Sequence, residues 1–322
     1  FIMKALYKAL FILVSLSLGL SNTTNAQQLP LTNQYVFAPG LLNPAAISVY
    51  KKMELFGLLR NQWTDVGGAP SNQMLTLNGS LKKNKTYLGA TVINDKIGLW
   101  NQLSVYCNFA YTAKLNDDMS LDFGLALGGI QRSFDYNRVE VKDVQDPYLT
   151  TNSLSRFGFD GSFGVNFSYK SLKVGISSLQ LFGNKLSYII EKNTSIYALT
   201  RQLNLTAQYS FIVSEEKKMK LTPIGVVRYV ADYGSFASSV PLQYDFNLLF
   251  DYQKYGWVLV SYKSDYALAA GLGIHVNNAF HFGVSYDIAM FTPVQSYLGQ
   301  TLELSFRYTF KSSGAAAPQF LY

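Results

Sequence analysis

The two histidines of the chain are the residues whose spacing most suggests chemistry. If residues 277–279 form a three-residue turn between two strands, residue 276 pairs with residue 280, and His275 then lies opposite His281. Two imidazoles can begin a metal site, but zinc normally needs three or four protein ligands, and no acidic third ligand is evident nearby. We therefore expect two solvated histidines at one rim of the molecule and no metal site.

Other arrangements for catalysis are poorly supported by the residue pattern. Gly124, Gly128 and Gly129 do not resemble a phosphate-binding loop, because no Lys-Ser or Lys-Thr follows them and the segment is strand-like. Small residues on a curved sheet, or a close backbone approach, explain these glycines. Cys107 is the single cysteine, which excludes an internal disulfide and a cysteine-based zinc site. We expect neither enzymatic activity nor a cofactor.

Composition indicates which elements must position these residues. Charged residues make up 15% of the 322 residues, against roughly 25% in ordinary soluble domains, and aromatic residues make up another 15%. Beyond the N-terminus no apolar run approaches the roughly 20 residues of a membrane-spanning helix. The abundant rings argue against disorder, and the dispersed net charge of +7 argues against nucleic acid binding. The composition predicts an all-β protein, either a soluble sandwich or a membrane barrel.

Several segments alternate strictly between apolar and polar residues, as β-strands do. Near the C-terminus, Leu302, Leu304 and Phe306 alternate with Glu303 and Ser305. Three further segments follow the same pattern: 202–211, 242–250 and 280–288. In a sandwich the apolar face lines a core, whereas in a transmembrane barrel it meets lipid and the polar face lines the lumen.

Strand number and connection length favour the barrel over the sandwich. We predict about fourteen antiparallel strands, many of them ten or more residues long, which suits tilted membrane strands. Their predicted ranges are 52–62, 72–81, 86–95, 102–115, 119–134, 156–169, 172–182, 200–213, 218–230, 241–251, 256–263, 266–276, 279–289 and 300–310. Connections after even strands are short, whereas those after odd strands, including 96–101, 135–155 and 183–199, are generally longer. Outer-membrane barrels have short periplasmic turns, so this parity predicts periplasmic N- and C-termini.

The barrel interpretation assigns several ionisable residues to the lumen. These candidate lumen-facing residues are Asp160, Arg228, Asp245, His275, His281, Asp287, Glu303 and Arg307. They could shape an ion path, or they could pair with one another across an interior that is plugged or narrow. Rings near predicted strand ends, Trp257 among them, fit the aromatic girdles of a barrel.

The residue pattern of the N-terminal region indicates that the protein is exported across the inner membrane. Lys4 and Lys8 lead into an uncharged apolar stretch at 9–20, and a polar segment then ends at Ala26, as in a cleaved signal peptide of residues 1–26. Residues 27–50 contain three prolines and form an irregular segment that could enter the barrel from the periplasm or contact a partner. The barrel would then occupy residues 51–310, followed by a C-terminal tail at 311–322.

A series of short motifs runs along the chain after the proposed signal peptide. The motifs are QYVFAP at 34–39, LLNPA at 41–45, RNQW at 60–63, GGAP at 67–70, QMLT at 73–76, INDKIG at 93–98, PLQYDFN at 241–247 and SYK at 261–263. Each motif is short, but their order and spacing together resemble the PorP/SprF family of outer-membrane proteins of the type IX secretion system of Bacteroidota over nearly all of the chain after the signal peptide.

The resemblance implies an outer-membrane barrel that is accessory to protein secretion and is not the main translocation pore. Family members are tied to export or surface retention of particular cargo, including gliding adhesins, often through the C-terminal sorting domain of that cargo. Some are linked to periplasmic ring and peptidoglycan-associated components. The implied partners are therefore outer-membrane lipid, a secreted protein and periplasmic secretion components. A diffusion porin is the alternative function that a barrel would equally allow.

Candidate partner contacts lie in the N-terminal segment, near the end of the first strand and in the long loop 135–155. They are Tyr35, Phe37, Asn43, Pro44, Trp63, Asp143, Asp146 and Tyr148. The loop at 183–199 and the tail after residue 310 are further candidate surfaces, the loops for surface cargo and the termini for periplasmic partners.

Overall fold

A computed structural model describes residues 32–82, 85–135, 154–190, 193–231, 242–264, 266–290 and 299–310. Apart from three short 3-10 helices, Gln34–Phe37, Pro39–Leu41 and Pro44–Val49, the elements in these ranges are β-strands. No helix in the described ranges is long and apolar enough to cross a membrane.

The strands form one large antiparallel sheet and one small hairpin. The large sheet contains β1 Glu54–Asn61, β2 Ser71–Lys82, β3 Thr86–Ile97, β4 Trp100–Lys114, β5 Met119–Phe134, β6 Leu154–Tyr169, β7 Leu172–Leu179, β10 Gln202–Tyr209, β11 Phe211–Ser214, β12 Met219–Val230, β13 Gln243–Tyr252, β14 Gly256–Lys263, β15 Ala267–His275, β16 Phe280–Ala289 and β17 Thr301–Thr309. The hairpin contains β8 Lys185–Ile190 and β9 Asn193–Ala198.

The large sheet closes into a barrel of fourteen strands, which confirms the predicted fold class. Strand β1 pairs with both β2 and β17, and β10 pairs with both β7 and β12. β10 and β11 are consecutive pieces of one barrel strand, since both pair with β12. The interruption at Ser210 lies beside Pro223 of β12, which has no N–H to donate to the ladder.

The alternating pattern places apolar side chains outside and polar side chains inside. On β17, Leu302, Leu304 and Phe306 are 36%, 48% and 40% exposed, whereas Thr301 and Glu303 are buried. A soluble sandwich would show the reverse, because its apolar face would be the buried one. The exposed rows therefore form the lipid-facing surface of a membrane barrel.

Connections at one end of the barrel are short and most of those at the other end are longer, with two corrections to the predicted loops. Residues 96–101 do not form a long loop, since β3 and β4 are joined by a tight turn at Gly98 and Leu99. Gly98 has a φ of 57°, which glycine adopts without strain. The connection 183–199 is not irregular either, because it contains the β8–β9 hairpin. We call the two ends the short-turn end and the long-loop end.

Candidate functional site

The most unusual feature of the barrel is the chain segment that lies within it. Residues 32–50, here called the inner segment, contact lumen-facing side chains from β5, β6, β7, β10, β13, β16 and β17. Its start lies beside Glu303 near the long-loop end, and its last residue, Tyr50, packs with Tyr87 near the short-turn end. The segment therefore runs along most of the lumen.

Local sequence explains why the inner segment forms short helical turns. Pro39 and Pro44 each occupy the first position of a 3-10 helix, where a missing N–H does no harm. Asn43 precedes Pro44 in extended conformation, and its side-chain oxygen accepts a hydrogen bond from the Ala45 N–H at 2.9 Å. These proline-led turns satisfy their own backbone groups and leave the side chains to contact the barrel wall.

Glu303 binds the start of the inner segment. Its carboxylate accepts hydrogen bonds from the backbone N–H of Asn33 at 2.9 and 3.0 Å, from the N–H of Gln34 at 3.3 Å and from the Thr32 hydroxyl at 3.0 Å. Ser285 donates to the same carboxylate at 3.0 Å. A carboxylate at the N-terminus of the first 3-10 helix thus satisfies the backbone donors that the helix leaves unpaired.

Buried cations balance Glu303 and the neighbouring carboxylate of Asp287. Arg60 Nε lies 3.0 Å from Glu303 Oε1, and Arg60 Nη2 lies 3.6 Å from Asp287 Oδ2. Lys263 Nζ lies 3.5 Å from the same Asp287 oxygen, and the Asn33 side chain donates to Asp287 as well. All four ionic side chains are at most 1% exposed. Such a network is stable only when every member is present, because a lone buried charge is costly.

Tyr35 and Phe37 pack on a second set of lumenal residues. The Tyr35 ring lies 5.6 Å from the Arg228 guanidinium, which pairs with Asp245 at 2.8 Å, and the Asn247 amide donates to the Tyr35 hydroxyl. These contacts hold the first turn of the inner segment on β12 and β13.

Trp257 does not belong to an interfacial girdle, contrary to the sequence prediction. Its indole points into the lumen, is 5% exposed and lies 4.5 Å from the Phe37 ring between centroids. Leu259 also points inward, while Val258 and Val260 are exposed on the outer face. Because both faces of this strand are apolar, alternation alone could not show which face was lumenal.

The middle of the inner segment lies against small residues. A side chain at Gly124 of β5 would overlap the backbone of Ala45, and one at Gly164 of β6 would overlap the Asn43 amide. Asn43 Nδ2 donates to Asn166 Oδ1 at 3.0 Å and to the Val165 carbonyl at 3.2 Å. Glycine at these two positions allows the close backbone approach that the hydrogen bonds require.

The histidine pair has the predicted register but not the predicted environment. His275 and His281 are cross-strand partners, and their Nδ1 atoms lie 2.7 Å apart. Asp251 Oδ1 lies 3.1 Å from His275 Nε2, so the acidic neighbour that the sequence did not reveal comes from β13, two strands away. The side chains of His275 and Asp251 are 3% and 2% exposed and His281 is 4% exposed, so the prediction of solvated histidines is wrong.

The structure places the other candidate residues as follows. Asp160 is buried and accepts a hydrogen bond from the Tyr106 hydroxyl at 2.7 Å. Arg307 lies 3.9 Å from Glu54. Four of the candidate partner residues are buried inside the barrel, namely Tyr35, Phe37, Asn43 and Pro44. Trp63 follows β1 at the long-loop end and is partly exposed. Asp143, Asp146 and Tyr148 lie outside the described residues, as do the proposed signal peptide and tail.

Sequence comparison identifies a family over most of the chain. The profile described as "Type IX secretion system membrane protein PorP/SprF" matches residues 24–308. None of the curated proteins with which the sequence was compared matches it. The family match agrees with the order of motifs found in the sequence.

Structural comparison identifies the same kind of barrel in proteins whose sequence identity to this chain is low. The CymD monoaromatic hydrocarbon channel aligns with a TM-score of 0.50 and 11% identity over 89% of this chain and 95% of its own. A mutant of the TodX monoaromatic hydrocarbon channel aligns with a TM-score of 0.50 and 10% identity over 87% and 95%. At these identities the likeness concerns the fold alone.

Proposed function

The chain belongs to the PorP/SprF family of type IX secretion system membrane proteins, and from this premise we propose that it is a non-enzymatic accessory barrel that docks a specific secreted protein. Family and fold together support a location in the outer membrane. In the proposed orientation the short-turn end faces the periplasm and the long-loop end faces outward. The cargo would be a surface or gliding adhesin, recognised through its C-terminal sorting domain.

The observation that carries this proposal is the occupied lumen. The inner segment is bound at its start by Glu303 and Asp287, and its middle is fitted against Gly124 and Gly164. A barrel filled by its own chain offers little passage to solutes but presents a rigid surface at each end. This arrangement favours docking over diffusion.

The long-loop end offers one surface suited to cargo, the β8–β9 hairpin. Leu186 of the hairpin is 3% exposed and packs with Leu154, Trp100 and Phe134. The Arg132 guanidinium lies 4.5 Å from the Trp100 ring and 3.5 Å from the ring of Tyr197 on β9. A hairpin fixed to the barrel rim by apolar and cation–π contacts is pre-organised for binding.

Periplasmic secretion components would have to bind surfaces other than the candidate residues of the inner segment, because those residues are buried. Tyr35 and Phe37 are 2% and 5% exposed, so a partner could reach them only if the segment left the barrel. The short turns, such as the one between β13 and β14, are exposed at the end that we assign to the periplasm. Linkage to the periplasmic machinery is therefore proposed through that rim.

Conductance distinguishes docking from diffusion. We expect the purified full chain to give no steady current in planar lipid bilayers, because the inner segment fills the lumen. Steady open-channel currents from the intact chain would instead support a diffusion porin.

Purification from native membranes tests docking directly. We expect the intact chain to retain a large secreted protein in mild detergent, and a variant with residues 185–198 replaced by a short Gly-Ser linker to lose it. A linker of similar composition at residues 253–255, on the opposite rim, is the control and should retain the cargo. Recovery of lipid alone with the intact chain, under conditions that preserve other secretion assemblies, would contradict the docking function.

A further inference from the structure

A cavity lies at the short-turn end of the barrel and plays no part in the proposed docking of cargo. It has a volume of about 340 Å³ and is bounded by the end of the inner segment and by residues of β4, β5, β6, β7, β11 and β12. Lys170 and Ser171, which form the β6–β7 turn, lie at its rim. Its volume is at the lower end of the range of small-ligand pockets, roughly 300–1,000 Å³.

Lysines dominate the charge of this cavity. Four of them line it, Lys51, Lys170, Lys173 and Lys220, against the single carboxylate of Asp122. That carboxylate already accepts hydrogen bonds from Ser48 at 2.8 Å and Thr112 at 2.5 Å. The cavity lining therefore has more ammonium groups than carboxylates, even when the pairing of Lys170 with Asp118 at the rim is counted.

Lys173 is the residue whose position is least explained by the protein itself. It is partly buried on β7, and the charged groups that act on its ammonium group are Lys51, Asp122 and Lys220, all of which line the same cavity. Lys170, by contrast, pairs with Asp118 at 3.6 Å, and Lys51 Nζ lies 3.3 Å from the Tyr87 hydroxyl. Lysines gathered in a concave site concentrate positive potential there, which attracts anions.

The hydroxyl groups of the cavity complete a site for an oxyanion. Ser168 is the cross-strand neighbour of Lys173, and Ser120, Ser171 and Ser210 also line the cavity. Hydroxyls can donate to the oxygens of an anion, while lysine binds phosphate as a compact point charge. Hydroxyl donors beside several ammonium groups suit a multivalent oxyanion better than a single carboxylate.

We propose that this cavity binds a phosphate group, carried by a soluble or polymer-borne molecule that enters from the short-turn end. The barrel wall separates the cavity from the lipid, so the two acyl chains of a membrane phospholipid could not follow its headgroup inside. The site is independent of the proposed docking function, because it uses neither the hairpin nor the long-loop end.

Calorimetric titration of the purified full chain in nonionic detergent tests this site. Inorganic phosphate and pyrophosphate are the probes, with ionic strength held constant by sodium chloride. We expect one saturable site per chain, with tighter binding of pyrophosphate because it carries more charge. The variant Lys173→Gln should weaken binding at least tenfold, whereas Lys173→Arg should retain most of it.

The matched control is Lys254→Gln, which removes an exposed lysine from the β13–β14 turn at the same end of the barrel but outside the cavity. It should leave both affinities unchanged, and circular dichroism should show that all variants keep the barrel. Absence of saturable binding to the intact chain would overturn the proposal. An equal loss in Lys254→Gln and Lys173→Gln would also overturn it, because that result indicates only a general attraction of anions to the rim.

Competition identifies the source of the phosphate. Vesicles of phosphatidylglycerol should fail to displace pyrophosphate from the full chain, because their headgroups cannot enter the lumen. Displacement by these vesicles, but not by phosphatidylcholine vesicles, would overturn the assignment to a soluble or polymer-borne phosphate and assign the site to a lipid headgroup.

Discussion

The two ends of the stretch from residue 32 to residue 45 are held in the barrel by different chemistry. At residues 32–34 the contact is ionic, since one buried carboxylate, Glu303, accepts hydrogen bonds from three successive residues and is balanced by Arg60. At residues 42–45 the contact consists of amides, hydroxyls and a close approach to Gly124 and Gly164. The ionic end depends on charge balance, whereas the glycine end depends on shape.

A polar lumen can thus bind its own chain specifically in two ways, through paired charges and through a close fit. Buried ion pairs add little net stability compared with apolar packing, but losing one partner leaves an uncompensated charge and is strongly destabilising. Close packing against glycine is disrupted mainly by added volume. The two ends should therefore respond to different substitutions.

The largest effect is expected at the ionic end, from Arg60→Met. The substitution leaves Glu303 without a cationic partner and Asp287 with Lys263 alone. Breaking a buried network in this way costs about 3–5 kcal/mol of unfolding free energy. Urea unfolding in detergent, followed by circular dichroism, measures the change, and bilayer conductance reports whether the inner segment leaves the lumen. If Arg60→Met has the same unfolding free energy as the unmodified chain, the ionic end does not hold the inner segment.

A smaller loss is expected at the glycine end, from Gly164→Val. The added side chain would overlap the Asn43 amide and displace the inner segment, at a cost of about 1–3 kcal/mol. Gly225→Val on β12 is the control, because a Cβ atom added at that position has no other atom within 4 Å. If both variants have the same unfolding free energy, the close fit at Gly164 contributes nothing to stability, and the two ends of the inner segment do not differ in this way.

Removal of the Asn43 side chain should have a more modest effect. Asn43→Ala removes both the cap on the Ala45 N–H and the hydrogen bond to Asn166, for a loss of about 1–2 kcal/mol. Asn43→Ser keeps a capping oxygen but no amide donor, so it should recover part of the loss. Urea unfolding of both variants separates the two roles. Equal destabilisation by alanine and serine would assign the whole effect to the hydrogen bonds that the Asn43 amide donates to the barrel wall, to Asn166 and the Val165 carbonyl among others.

The features of the fold and of the lumen that the sequence predicts are those that arise within one strand or one short turn. Contacts between distant strands could not be predicted. Fourteen strands follow from alternation, because lipid and lumen act on every second residue of each strand. The pairing of His275 with His281 also follows, since a short turn fixes it. Partners on distant strands, such as Asp251 for His275 or Asp287 for Arg60, depend on the closure and shear of the whole barrel. Gly124 illustrates the intermediate case, because a close backbone approach was one of its two explanations but the approaching segment was unknown.

The smallest effect is expected for an ion pair outside the lumen, Lys170 with Asp118. Its atoms lie 3.6 Å apart, as in the Arg60–Asp287 pair, but its side chains are 60% and 56% exposed. Water already solvates both groups, so Lys170→Met should change the unfolding free energy by no more than about 1 kcal/mol. The same urea titration measures it, and raising the salt concentration should narrow any difference between the unmodified chain and the variant, because dissolved ions screen an exposed pair. A loss as large as that of Arg60→Met would mean that the effect of Arg60 does not come from burial, and that solvated and lumenal charges contribute alike to stability.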